Sequence, residues 1–121
     1  MSIVVENLTK IYGTQTAVND ISFEANKGEV LGFLGANGAG KTTTMKIITC
    51  FIPQTSGRVS VCGYDTVTHP IEVRKCIGYL PEHNPLYKNM YIKEYLHFIA
   101  GLHHIANKKQ RVEEMLSLIH I

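Results

Sequence analysis

An α/β phosphate-binding fold is what this sequence predicts, on three observations. Residues Gly35 to Thr42 read GANGAGKT and match the P-loop pattern G-x-x-x-x-G-K-[ST] in full. Directly before them, Glu29-Val30-Leu31-Gly32-Phe33-Leu34 is a short apolar run of the kind that forms a buried parallel strand. Directly after them, Met45, Ile48 and Ile52 recur at helical spacing, so Lys41 and Thr42 open a helix. Strand, glycine-rich loop and helix thus arrive in the order a triphosphate site needs.

The residue types fit that chemistry. Glycines let successive backbone N–H groups turn inward around a phosphate, and Lys41 supplies a point charge to the β- and γ-phosphate oxygens. Thr42 offers a hydroxyl to Mg²⁺, and the helix dipole faces the bound anion. A dinucleotide-binding G-x-G-x-x-G reading fails, because Gly38-Ala39-Gly40 is followed by Lys41-Thr42-Thr43 with no third glycine.

Composition limits the remaining classes. The 121 residues are 45% hydrophobic and 18% charged, as in a globular domain with a core. The net charge of +2 is spread along the chain, and its densest run, Lys108-Lys109 with Arg111, reads as a solvated helix face, so no nucleic-acid partner is expected. Cys50, Cys62 and Cys76 are odd in number and too widely spaced for a C-x-x-C motif, which points to a reducing cytosol. No stretch approaches the roughly 20 apolar residues that span a bilayer, so any membrane role is expected to be peripheral. His97 and His104 lack a third convergent donor for a metal and read as surface residues. The helical spacing of Tyr91, Tyr95 and Phe98 reads as core and interface packing.

Taken in order, Ile3 to Leu8 and Val18 to Phe23 read as strands around a Tyr12-Gly13-Thr14 turn. Asn26-Lys27-Gly28 turns into the strand that delivers the P-loop. After the P-loop helix, Pro53 to Gly57 breaks the chain, Arg58 to Cys62 alternates as a strand, and Pro70 to Lys75 starts a brief helix at proline. Ile77 to Leu80 reads as a further strand. From Met90 the period changes: Ile92, Tyr95 or Leu96, Ile99 and Leu102 form one helical stripe, then Val112, Leu116 and Ile119 another. Two parts are expected, a β-rich P-loop core over 1–89 and the start of a helical subdomain over 90–121.

The stretch from Leu8 to Asp65, continuing to about Val112, resembles the N-terminal part of an ATP-binding subunit of ABC transporters. The resemblance implies a P-loop NTPase fold of the ABC ATPase type. It also implies that Tyr12, some twenty residues ahead of the loop, stacks on adenine; such stacking is worth about 1–3 kcal/mol and is tolerant of base identity. Gly35, Ala36, Asn37, Gly38, Ala39, Gly40, Lys41, Thr42 and Thr43 would bind the nucleotide, with backbone N–H groups of Ala36 to Lys41 on the phosphates and Thr43 at the α-phosphate. Residues Ile77 to Tyr87, IGYLPEHNPLY, match the family's Q-loop region, but Glu82 stands where a Gln usually ligates Mg²⁺. Glu82 is a hard oxygen donor that brings an added negative charge to the same role. Lys41 and Glu82 are thus the expected catalytic residues, and Thr42 and Glu82 the metal ligands. YLPEHNPLY followed by Tyr-Ile-Lys-Glu-Tyr-Leu is most similar to exporter-type subunits associated with gliding motility.

The resemblance further implies ATP and Mg²⁺ as cofactors, a second ATP-binding subunit, a membrane-embedded partner docked near Asn84 to Tyr91, and a cytoplasmic location at the inner face of the cell membrane. No LSGGQ-like signature and no apolar Walker B strand ending in Asp-Glu follows the Q-loop region. The final Leu116 to Ile121 also resembles translated sequencing-adapter sequence. A truncated chain is expected, roughly the first half of a domain, able to bind ATP but unable to complete the hydrolysis its parent performs. A soluble member of the superfamily, such as a ribosome-associated translation factor, is a rival reading that a tandem second domain would favour. A small-molecule phosphotransferase is another, and Tyr12 and the Q-loop region argue against it.

Overall fold

The computed structural model describes residues 3–36, 38–83 and 86–118. The chain divides into two units, Met1–Tyr79 and Leu80–Ile121. The change of sequence period falls later, between residues 89 and 90.

The first unit is built on a four-stranded antiparallel sheet with strand order β2-β1-β3-β4, comprising β1 (Ile3–Tyr12), β2 (Gln15–Ala25), β3 (Ser56–Val61) and β4 (Tyr64–Asp65). The first two strands run longer than their apolar patterns suggest. Their pairing continues to Tyr12 opposite Gln15, so that Gly13 and Thr14 alone make the turn. The register shifts within this pair. Asn7 and Asp20 take left-handed backbone conformations there, and the Asn7 Nδ2 amide donates to Asp20 Oδ1 at 2.9 Å. Such paired irregularities bend a hairpin and increase its twist.

β3 turns into β4 through Cys62-Gly63, both with positive φ, as a two-residue hairpin of this hand requires. This short β4 carries no periodic signal in the sequence and was not expected. Helices α1 (Lys41–Ile48) and α2 (Pro70–Cys76) cover the sheet. Val5, Leu8, Val18, Ile47, Ile48, Val59, Val61 and Val73 are buried together as one core. Each such side chain contributes about 1.5–3 kcal/mol when fully buried.

Three sequence expectations need correction. Glu29 to Leu34 forms no strand, and Val30 and Leu34 are wholly exposed, at 101% and 96%. A parallel strand takes every backbone hydrogen bond from neighbouring strands, and among the described residues none runs beside this segment. It is tethered through Phe33, whose ring lies 5.3 Å from that of Phe23. Ile77 to Leu80 is likewise irregular for want of a partner: Ile77 packs on the core while Leu80 is exposed.

The P-loop helix also stops at Ile48 and does not reach Ile52. Cys50 turns left-handed there; its N–H bonds Ile47 O at 3.1 Å and the Phe51 N–H bonds Lys46 O at 2.8 Å. These two bonds close a Schellman motif, with cysteine where glycine is usual.

The second unit holds α3 (Ile92–Leu102) and α4 (Lys108–Leu118), packed together with Val112 and Leu116 buried. A second Schellman motif, with His104 left-handed, ends α3: the His104 N–H bonds Gly101 O and the Ile105 N–H bonds Ala100 O. Lys93 and Glu113 form a 2.7 Å ion pair between the helices. Ile119, expected on the second stripe, lies outside the described residues, as does Asn37 of the P-loop.

Candidate functional site

The loop begins as an irregular segment and ends as the first turn of α1. The Ala39 N–H bonds Ala36 O at 3.1 Å, and Gly38 and Gly40 have φ of 83° and 95°. Gly40 is required twice over. Its φ is unfavourable for side chains, and a Cβ there would lie 2.4 Å from Ala17 O and 3.1 Å from Val18 Cγ2. Its close approach to β2 fixes the loop against the sheet. Ala17 was not singled out from sequence, since a backbone carbonyl acting as a wall leaves no mark in residue type.

Helix α1 has no side-chain cap and no acidic residue in its first turn. Its first intrahelical bond is Thr44 N–H to Gly40 O at 2.9 Å, so the N–H groups before it have no helical acceptor. Thr42 is exposed and Thr43 half-buried at this end. Thr44 points inward, and its hydroxyl donates to Gly40 O at 2.8 Å. The Lys41 ammonium donates to the carbonyls of Gly35 and, at 3.2 Å, Ala36. A cation resting on the loop's carbonyls beside uncapped N–H groups is a donor set suited to an anion. These residue types fit the phosphates of a nucleoside triphosphate.

Tyr12 is half-exposed at the end of β1, with the Lys10 ammonium 5.2 Å from its ring centroid. Its strand partner Gln15 lies two residues from Ala17, whose carbonyl abuts Gly40. A cleft of about 420 Å³ opens beside the loop, walled by Val18, Phe23, Leu31, Phe33, Lys41 and Thr44. Its mostly apolar walls suit packing side chains better than a triphosphate. Glu82 is exposed in the second unit, in an irregular segment. Of the expected docking segment, Asn84 and Pro85 lie outside the described residues, and Leu86, Tyr87 and Tyr91 are exposed. The Tyr87 ring packs against Tyr95 and edge-on against Phe98, at 6.1 and 5.7 Å.

Residues 18–121 match the family model described as ABC transporter. The chain belongs to the ABC transporter family. Over 119 residues it is 41% identical to the ABC transporter ced-7 of Caenorhabditis elegans, covering 95% of this chain and 7% of that protein. The human phospholipid-transporting ATPase ABCA3 is 34% identical over 97% of the chain and 7% of its own length. Among solved structures, an ATP binding subunit of an ABC transporter superposes with a TM-score of 0.87 at 28% identity, covering 97% of this chain and 50% of that one. The fold is therefore the ABC ATPase P-loop fold, and the chain spans about half of that solved subunit. No helix among the described residues is long and apolar enough to cross a membrane.

Proposed function

We propose that this chain is the ATP-binding part of an exporter-type ABC transporter cassette, whose parent binds Mg-ATP and couples its hydrolysis to transport. The observation that carries the reading is the loop from Gly35 to Thr43: uncapped helix N–H groups, glycines held at positive φ, and the Lys41 ammonium resting on loop carbonyls. Backbone N–H groups of Ala36 to Lys41 hold the phosphates, and Lys41 leaves the carbonyls of Gly35 and Ala36 to neutralise β/γ charge. Thr42 would offer an oxygen donor to Mg²⁺, which when bound neutralises charge on the phosphate oxygens, and the resemblance to the Q-loop region gives Glu82 the same role. Thr43 serves the α-phosphate and Tyr12 the adenine face.

The proposed parent pairs with a second cassette and with a membrane-embedded subunit docking near Asn84 to Tyr91, at the cytoplasmic face of the membrane. Similarity to a phospholipid-transporting ATPase supports an amphipathic, lipid-like cargo. The sequence YLPEHNPLY supports a narrower placement among gliding-motility exporters.

Titration of Mg-ATP into the chain completed with the family's downstream half tests the site. Lys41→Ala is expected to abolish tight binding, because it removes the one side-chain cation inside the octapeptide. Unchanged affinity and turnover in that variant would sink the assignment.

A further inference from the structure

Cys62 and Cys76 lie far outside a C-x-x-C spacing in the sequence, but the fold brings them together. Cys62 sits in the β3–β4 turn with a left-handed φ of 51°, and Cys76 is the last residue of α2. Val61, next to Cys62, and Val73, one helical turn before Cys76, are buried in the same core, and Ile77, next to Cys76, packs against it. Helix α2 is thereby held against β3 and β4. At that junction the two thiols meet: desolvation, and then a hydrogen bond with the Cys62 thiol, raise the Cys76 pKa.

Both cysteines are exposed. Cys50, by contrast, is half-buried, and its thiol donates to Thr66 O at 3.6 Å. Among the described residues no group of three or more His, Cys, Asp or Glu is placed to hold a metal ion, so the pair lacks the further donors that a structural zinc site takes. Two exposed thiols in contact are placed instead for the reversible two-electron chemistry of a dithiol.

We propose that Cys62 and Cys76 form a reversible intramolecular disulfide when the protein meets hydrogen peroxide. The Cys62 thiolate attacks one peroxide oxygen, the O–O bond breaks, and the leaving hydroxide takes up a proton as water, giving a Cys62 sulfenic acid. The Cys76 sulfur then gives up its proton and attacks the Cys62 sulfur; the S–S bond forms, the S–O bond breaks and a second water leaves. Two thiols are oxidised by two electrons in all, and one peroxide is reduced to two waters. The raised Cys76 pKa keeps that thiol protonated, so the first attack falls to Cys62. A dithiol reductant reverses the step through a mixed disulfide. The bond ties the hairpin turn to the end of α2, immediately before the irregular segment that begins at Ile77.

The test treats the full chain, carried within a complete cassette, with equimolar hydrogen peroxide and maps the products by mass spectrometry. The expected product has lost about 2 Da, joins the peptides of Cys62 and Cys76, and returns to the free thiols with dithiothreitol. Cys62→Ser and Cys76→Ser are each expected to abolish the bridge and to leave the remaining thiol taking up oxygen, while Cys50→Ser leaves bridging unchanged. In denaturant the bridge is expected to form at least about tenfold more slowly, because folding is what holds the two thiols together. The wild-type map needs no variant to fold. Oxygen added to Cys62 and Cys76 without a bridge, a bridge through Cys50 or between two chains, or an equal rate in denaturant would overturn the proposal.

Discussion

At the scale of single residues, the P-loop is set by backbone freedom and one charge, and Tyr12 adds a flat face at the hairpin tip. Nearly half its surface is exposed, with the Lys10 ammonium over the ring. Tyr12→Ala is expected to weaken ATP by about 1–3 kcal/mol, while Tyr12→Phe stays close to wild type because the ring face carries the contact. Isothermal titration distinguishes them; Phe as poor as Ala would point to a hydroxyl hydrogen bond in place of stacking. The octapeptide stands out in sequence because most of its requirements are local: Gly38 needs only its own backbone freedom, and Lys41 reaches carbonyls at Gly35 and Ala36. Ala17 does not, since its contribution is a carbonyl brought against Gly40 by the fold.

At the scale of elements, the junction of loop, helix and sheet is testable through its glycines. Gly40→Ala meets Ala17 O at 2.4 Å as well as a φ of 95°, whereas Gly38→Ala at φ 83° meets nothing within 4 Å. Backbone strain alone costs on the order of 1–3 kcal/mol. Denaturant melts are expected to show Gly40→Ala as the more damaging by a clear margin, and equal losses would remove the wall assigned to β2.

In the second unit, the Lys93 ammonium beside Glu113 holds its carboxyl below the ordinary glutamate range. A depressed folded value gives stability that is fully present above the unfolded value and is lost as pH falls through the folded one. The exposed pair contributes little, so the direct check is the Glu113 carboxyl titration: a low midpoint in the wild type, rising toward the ordinary value in Lys93→Met. A midpoint unmoved by that substitution would remove Lys93 as the cause.

Which elements the sequence disclosed follows the same logic. The helices at Ile92 and Lys108, and the strands around Val5 and Val59, were readable from their own period. The run Glu29 to Leu34 reads as a strand by composition, but strand formation depends on a neighbour distant in sequence. The end of α1 was missed because Cys50 takes the left-handed cap that glycine would have announced.

At the scale of the whole molecule, the chain carries the P-loop sequence and spans 50% of a solved ATP-binding subunit. Fully exposed Val30 and Leu34 flank the loop's entry segment, where a parallel sheet would cover them. Residues 1–121, covering half of a solved subunit, are expected to bind ATP without completing its hydrolysis. The most direct test is ATPase activity, followed alongside cooperative unfolding, of residues 1–121 against a version extended by the family's downstream half. We expect nucleotide binding without turnover and a broad melt in the shorter protein, with hydrolysis and a sharp transition in the longer one. A sharply melting, monomeric 1–121 chain hydrolysing ATP as fast as the extended protein would contradict the account.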